Sequence, residues 1–115
     1  MTGKPLLVHF DGKVKALSTL INQCGITAID SLSLPEMSGD VTLSEARRIF
    51  PGMGLLFNFP SNRSMDQEGE IISWVREFAQ AAKDNMPCML QLSEDVPVEH
   101  WAKVARALAE GAREV

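Results

Sequence analysis

Apolar residues along this chain come in short unbroken runs, and between them apolar positions recur every three or four residues. The two patterns alternate four times. "PLLVHF" (5–10), "ITAIDSL" (26–32), "MGLLFNF" (53–59) and "MPCMLQL" (86–92) are apolar runs of strand length. In "KVKALSTLINQCG" (13–25), Val14, Leu17, Leu20 and Ile21 fall at helical spacing, and Gly25 supplies a C-terminal stop. "SLPEMSGD" is a loop by its Pro, Gly and Ser content. Thr42 and Glu45 then have the spacing of a capping box and open a short helix through Ile49 and Phe50, which "PG" ends. "PSNRS" turns the chain. Ser64 and Gln67 repeat the capping-box spacing ahead of a long helix with the stripe Ile71, Ile72, Val75, Phe78, Ala79 and Ala82. Pro97 suits a first helical position. Trp101, Val104, Ala105 and Leu108 give the last helix its buried face.

The order βαβαβαβα predicts an α/β domain over 1–115 with a parallel sheet and right-handed crossovers. Two architectures satisfy it. One is a small doubly wound sheet of flavodoxin type. The other is four βα units forming half of a (β/α)8 TIM barrel, whose full form takes about 250 residues. Pattern alone does not separate them.

Both architectures bind ligands at the carboxyl ends of the strands, and the unusual polar residues collect there. His9 and Asp11 end the first strand, two residues apart and so on one face. Asp30 lies in the second strand, with Glu36 and Asp40 in the loop after it. Asn58 and Ser61 close the third. Ser93, Glu94 and Asp95 follow the fourth. The loops at the other end are short and carry no chemistry. His9, Asp11 and Glu94, converging from adjacent strand ends, would make an open site for zinc or another divalent metal. The plainer alternatives are a strand-end His9 bonded to Asp11, carboxylates at 94 and 95 capping the last helix, Asp40 capping the second, and Asn58 tying down a turn.

Composition narrows the function classes. Net charge is −4, with no basic run, which argues against nucleic acid as a partner. No apolar run is long enough to span a membrane, and the N-terminus lacks the apolar core of a secretory signal. Cys24 and Cys88 stand far apart in apolar contexts, as reduced core residues of a cytoplasmic protein. Neither has a neighbouring His or basic residue to make it a nucleophile, and no Gly-rich phosphate loop is present. Met65, Met86, Met89 and the two tryptophans read as core and interface filler. Trp74 falls off the main stripe of its helix and is a candidate interface anchor.

The pieces "HFDG", "GITAID", "MSGDVTLSEAR", "NFPS" and "SEDVP" together resemble the C-terminal half of uroporphyrinogen decarboxylase-like proteins, in the branch related to corrinoid-dependent methyltransferases and O-demethylases. The resemblance covers nearly the whole chain. It implies a TIM barrel of which this chain matches the last four βα units. In the methyltransferase members a His-x-Cys pair and a later cysteine hold a zinc that activates a thiol. Here Asp11 stands in place of the first cysteine, and Ser93 and Glu94 lie near the place of the second. The resemblance thus implies His9, Asp11 and Glu94 as ligands of a harder metal site, with Asp30 and Asn58 shaping the catalytic pocket. It further implies a corrinoid carried by a partner protein. "LSEDVP" lacks the Gly-His-Gly turn of the decarboxylases, which argues against porphyrinogen decarboxylation.

Four strands cannot close a barrel, and the open edges and apolar inner face call for a partner. A homodimer is the simplest, closing a barrel or packing sheets face to face. A separate N-terminal half is the alternative. The function expected is metal-dependent methyl transfer or O-demethylation after assembly. The competing readings are a non-catalytic binding or assembly module and an inactive fragment of a full barrel.

Overall fold

The computed structural model describes residues 3–83 and 87–113. Four strands, β1 (Leu7–His9), β2 (Ala28–Leu32), β3 (Gly54–Asn58) and β4 (Cys88–Gln91), alternate with four helices, α1 (Ser18–Gln23), α2 (Leu43–Ile49), α3 (Glu68–Ala81) and α4 (Trp101–Arg113). Short 3-10 turns precede α1, α3 and α4. The predicted start of the fourth strand at Met86, and the filler role read for that residue, lie outside the described residues.

All neighbouring strands are parallel, and their order in the sheet is their order in the chain, β1-β2-β3-β4. A doubly wound sheet needs a point where strand order reverses. Here there is none, so the flavodoxin-type arrangement is excluded. Right-handed crossovers that always step the same way keep every helix on one face. Packing follows suit. Ile29, Leu55 and Phe57 are fully buried together with Ile21 of α1, Ala46 of α2 and, partly buried, Trp74 and Phe78 of α3. Phe57 meets Phe78 edge-on at 5.6 Å, a contact of roughly 0.5–1.5 kcal/mol beyond its buried area. A second cluster, with Phe59, Ile71, Val75, Val96, Val104 and Ala107, joins α3 to α4. Gly111 allows that approach, because a Cβ there would lie 2.6 Å from Val75.

Among the described residues, the opposite face of the sheet carries no helix. Leu7 and Met89, on that face, are 55% and 57% exposed. Met89 and Met65 are thus surface residues, not core filler.

Several expected details change. The Thr42–Glu45 capping box forms in both directions. The Ser64–Gln67 box does not, because Ser61–Met65 winds as a 3-10 turn and α3 begins only at Glu68. Val14 and Ile21 are buried, but Leu17, at the end of the 3-10 turn, and Leu20, on α1, stand exposed. In α4 the buried face is Val104, Ala107 and Gly111, so Trp101 and Ala105 are not part of it. Pro97 sits one place before the helical turn, as its N-cap. Trp74 is not an exposed anchor: it stacks on Phe78, meets Phe59 edge-on and lies under the Arg63 guanidinium. Cys24 is exposed and Cys88 half-buried, so Cys24 is no core residue. No described helix is long and apolar enough to cross a membrane.

Candidate functional site

His9, Asp30, Asn58 and Gln91 form one polar row on the helix-free face. His9 is in register with Asp30, and Asn58 with Gln91. A bulge in β2 builds the row. Ile29 pairs with Leu55 and Leu32 with Phe57, so Asp30 and Ser31 together span a step that β3 makes with one residue. Ser31 takes up the extra length in the left-handed region, φ 64°. Both Ile29 and Leu32 can then point into the core, while Asp30 stays on the open face.

Asp30 is the hub. One oxygen accepts from His9 Nδ1 at 2.9 Å and from the Ser31 hydroxyl at 3.2 Å. The other accepts from Gln91 Nε2 at 3.0 Å, and Gln91 also donates to Asn58 Oδ1 at 2.9 Å. The Gln91 amide, with His9 and Ser31, holds the Asp30 carboxyl below its ordinary range against partial burial. Its bond to Asp30 raises the His9 pKa, opposed by desolvation and helped by the negative charge of Asp30, Asp11 and Glu94. An ionised carboxylate only accepts, so the Nδ1 proton is fixed on the Asp30 side and Nε2 is left for the cavity.

That cavity, of about 550 Å³, opens between the strand ends. His9, Asp11, Ser31, Asn58, Ser93 and Glu94 are among its walls. His9 Nε2 lies 3.8 Å from Asp11 Oδ2, longer than the roughly 3.3 Å that separates two donors on one tetrahedral zinc. A carboxylate on the far nitrogen of a ligating histidine is the usual support of such a site. Glu94 shares the cavity, but no group of three His, Cys, Asp or Glu side chains poised to hold a metal occurs among the described residues. A single copy therefore offers two donor side chains near one another, His9 and Asp11, and not a complete metal site.

The structure thus brings His9, Asp11, Asp30, Asn58 and Glu94 to one mouth, with two changes of role. His9 bonds Asp30, across the strands, and Asp30 acts by orienting it. Asp40 caps neither the second helix nor the site: its carboxylate accepts from the backbone N–H of Val14 and Lys15 and so starts the first helix. Glu36 pairs with Arg63 at 3.0 Å. No side chain caps the turn after Pro97, so the capping role for residues 94 and 95 is not filled there. Gln91 and Ser31 went unforeseen. Gln91 carried a signal, as a polar residue in phase with Met89 at the end of an apolar strand. Ser31 carried none, since its role depends on the bulge.

Comparison with known protein families, with curated proteins and with solved structures finds no match to this chain.

Proposed function

We propose that the chain is one half of a (β/α)8 barrel of the uroporphyrinogen decarboxylase-like and corrinoid methyltransferase kind, serving cytoplasmic metal-dependent methyl transfer or O-demethylation once a second half, from another copy or a separate chain, covers its open sides. The observation that carries the reading is the oriented histidine. His9 is fixed through Nδ1 by a carboxylate that is itself fixed by Gln91 and Ser31, and its Nε2 faces a cavity shared with Asp11 and Glu94. Sequential strand order and a polar row at the carboxyl ends support the barrel half.

His9 and Asp11 would hold zinc or a similar ion, which would act as a Lewis acid on a methoxyl oxygen or another substrate heteroatom. Asp30 keeps the imidazole in one tautomer and orientation. Asn58 presents its amide to whatever binds at the mouth, and Gln91 holds both Asn58 and Asp30 from behind. The corrinoid belongs to a partner protein in this reading. The second reading, a binding or assembly module without chemistry, draws on the incomplete donor set and on the 60% exposure of the His9 side chain.

Cobalt(II) titration followed by visible absorption separates the two. The first reading expects a saturable ligand-field spectrum, lost in His9→Ala and weakened about 10–100-fold in Asp30→Asn. A wild-type protein with no such spectrum, or one that His9→Ala leaves unchanged, contradicts it.

A further inference from the structure

Among the described residues, β1 and β4 each pair with a strand on one side only, and the two flanks of the molecule complement one another. On the β1 flank, α1 touches α2 through Lys15 just ahead of it and Asn22, which bond Glu45 and the Ile49 carbonyl. At about 100° per residue, Leu17 and Leu20 lie on the opposite side, away from α2. They are 44% and 61% exposed, and Leu6 beside them on the helix-facing side of the strand is also exposed. This is an apolar flank with none of the described helices or strands covering it.

On the β4 flank the reverse shape occurs. α4 packs on α3 through Val104, Ala107 and Gly111. It leaves a cleft of about 440 Å³ toward the β4 edge, lined by Phe78, Ala82, Cys88, Leu90, Leu108 and Ala112 among others. Trp101 and Ala105, on the Leu108 and Ala112 side of α4, are exposed. In a sheet whose helices all cover one face, α4 belongs over β4 and one further parallel strand. The cleft is the room for that strand.

We propose that a second copy of this chain supplies it: β1 of each copy adds to β4 of the other, Leu6 enters the cleft, and Leu17 and Leu20 pack on the Trp101–Ala105 side of α4. This rests on the barrel-half reading above and commits it to one occupant and one geometry. Two such junctions around a two-fold axis parallel to the strands close eight parallel strands into a ring, satisfying both edges at once. Charge is mixed on the first flank, where Lys13 stands near Asp11 at the strand-carboxyl end, and acidic on the second, where Glu94, Asp95 and Glu99 lie at the same end. The ring also places the Ser93–Asp95 turn of one copy beside His9 of the other, so each mouth is shared between copies.

The junction is head-to-tail, which allows a complementation test. The wild-type chain is expected to scatter light as a particle of twice the 12.6 kDa chain mass. Leu20→Glu spoils only the β1 flank and Ala105→Glu only the cleft side, both at exposed positions. Each alone is expected to be monomeric with an unchanged far-UV circular dichroism spectrum, and Leu17→Glu gives a second β1-flank variant. An equimolar mixture keeps one intact junction and is expected to recover dimers. A wild-type monomer throughout the micromolar range, dimers that survive both variants, a mixture that stays monomeric, or open polymers each overturn the proposal. His9→Ala is expected to remain dimeric. Loss of metal binding in an intact dimer counts against the metal reading alone, and a metal-binding wild-type monomer counts against this assembly alone.

Discussion

A carboxylate held between an imidazole and an amide is the unit on which the mouth is built, and its position depends on one strained serine. Ser31 sits at φ 64°, where a non-glycine residue costs roughly 1–3 kcal/mol and a β-branched one more. Ser31→Val is therefore expected to lower the unfolding free energy by about 1–3 kcal/mol in urea titrations. Ser31→Gly should be no less stable than wild type, despite losing the hydroxyl bond to Asp30. Equal stability for the two variants would show that the bulge carries no strain. From the sequence, the His9–Asp11 pair was legible because residues two apart on a strand share a face. The stronger bond, His9 to Asp30, joins residues 21 apart. It depends on strand register, which local pattern does not contain.

Among the elements, α2 has the clearest sequence signal and the best-secured start. The Glu45 carboxyl is held at about 2, first by Lys15 Nζ at 2.6 Å and then by the Thr42 backbone N–H and side chain. Its folded pKa lies below its ordinary 4.5, so the stabilisation is present above that value and is lost as pH falls from about 4.5 toward 2. Glu45→Gln is expected to flatten the stability–pH curve in that window while leaving it unchanged in shape above pH 5, read by urea midpoints. An acid slope as steep as the wild type's would contradict the assignment. The second Ser-x-x-Gln spacing had the same letters and no such outcome. Ser64 was drawn into a 3-10 turn and buried there, one turn too early to cap α3. Periodicity likewise found Leu17, Leu20, Trp101 and Ala105, but it could not distinguish residues that face this chain's core from residues that face outward from an unfinished layer.

For the whole molecule, alternation of runs and periodic stretches was enough to give four parallel βα units. It did not give strand order, and strand order decides between a doubly wound sheet and a one-sided layer. The apolar residues misassigned to the core are informative for the same reason. Leu17 and Leu20 lie on one open flank, Trp101 and Ala105 on the other, and Met89 on the open sheet face. They mark the surfaces that a closed ring would cover.

The most direct measurement is amide hydrogen exchange along β4 at two protein concentrations. The carbonyls of Pro87 and Gln91 point to β3, where they accept from Leu55 and Phe59. The ladder then leaves the N–H group of Leu90 on the outer edge. Edge pairing with β1 of a second copy predicts slow exchange at the Leu90 amide at high concentration, and fast exchange after dilution below the dimer's dissociation constant. Fast exchange at both concentrations, with Met89 protected throughout, would show an edge that stays open and would contradict the closed ring.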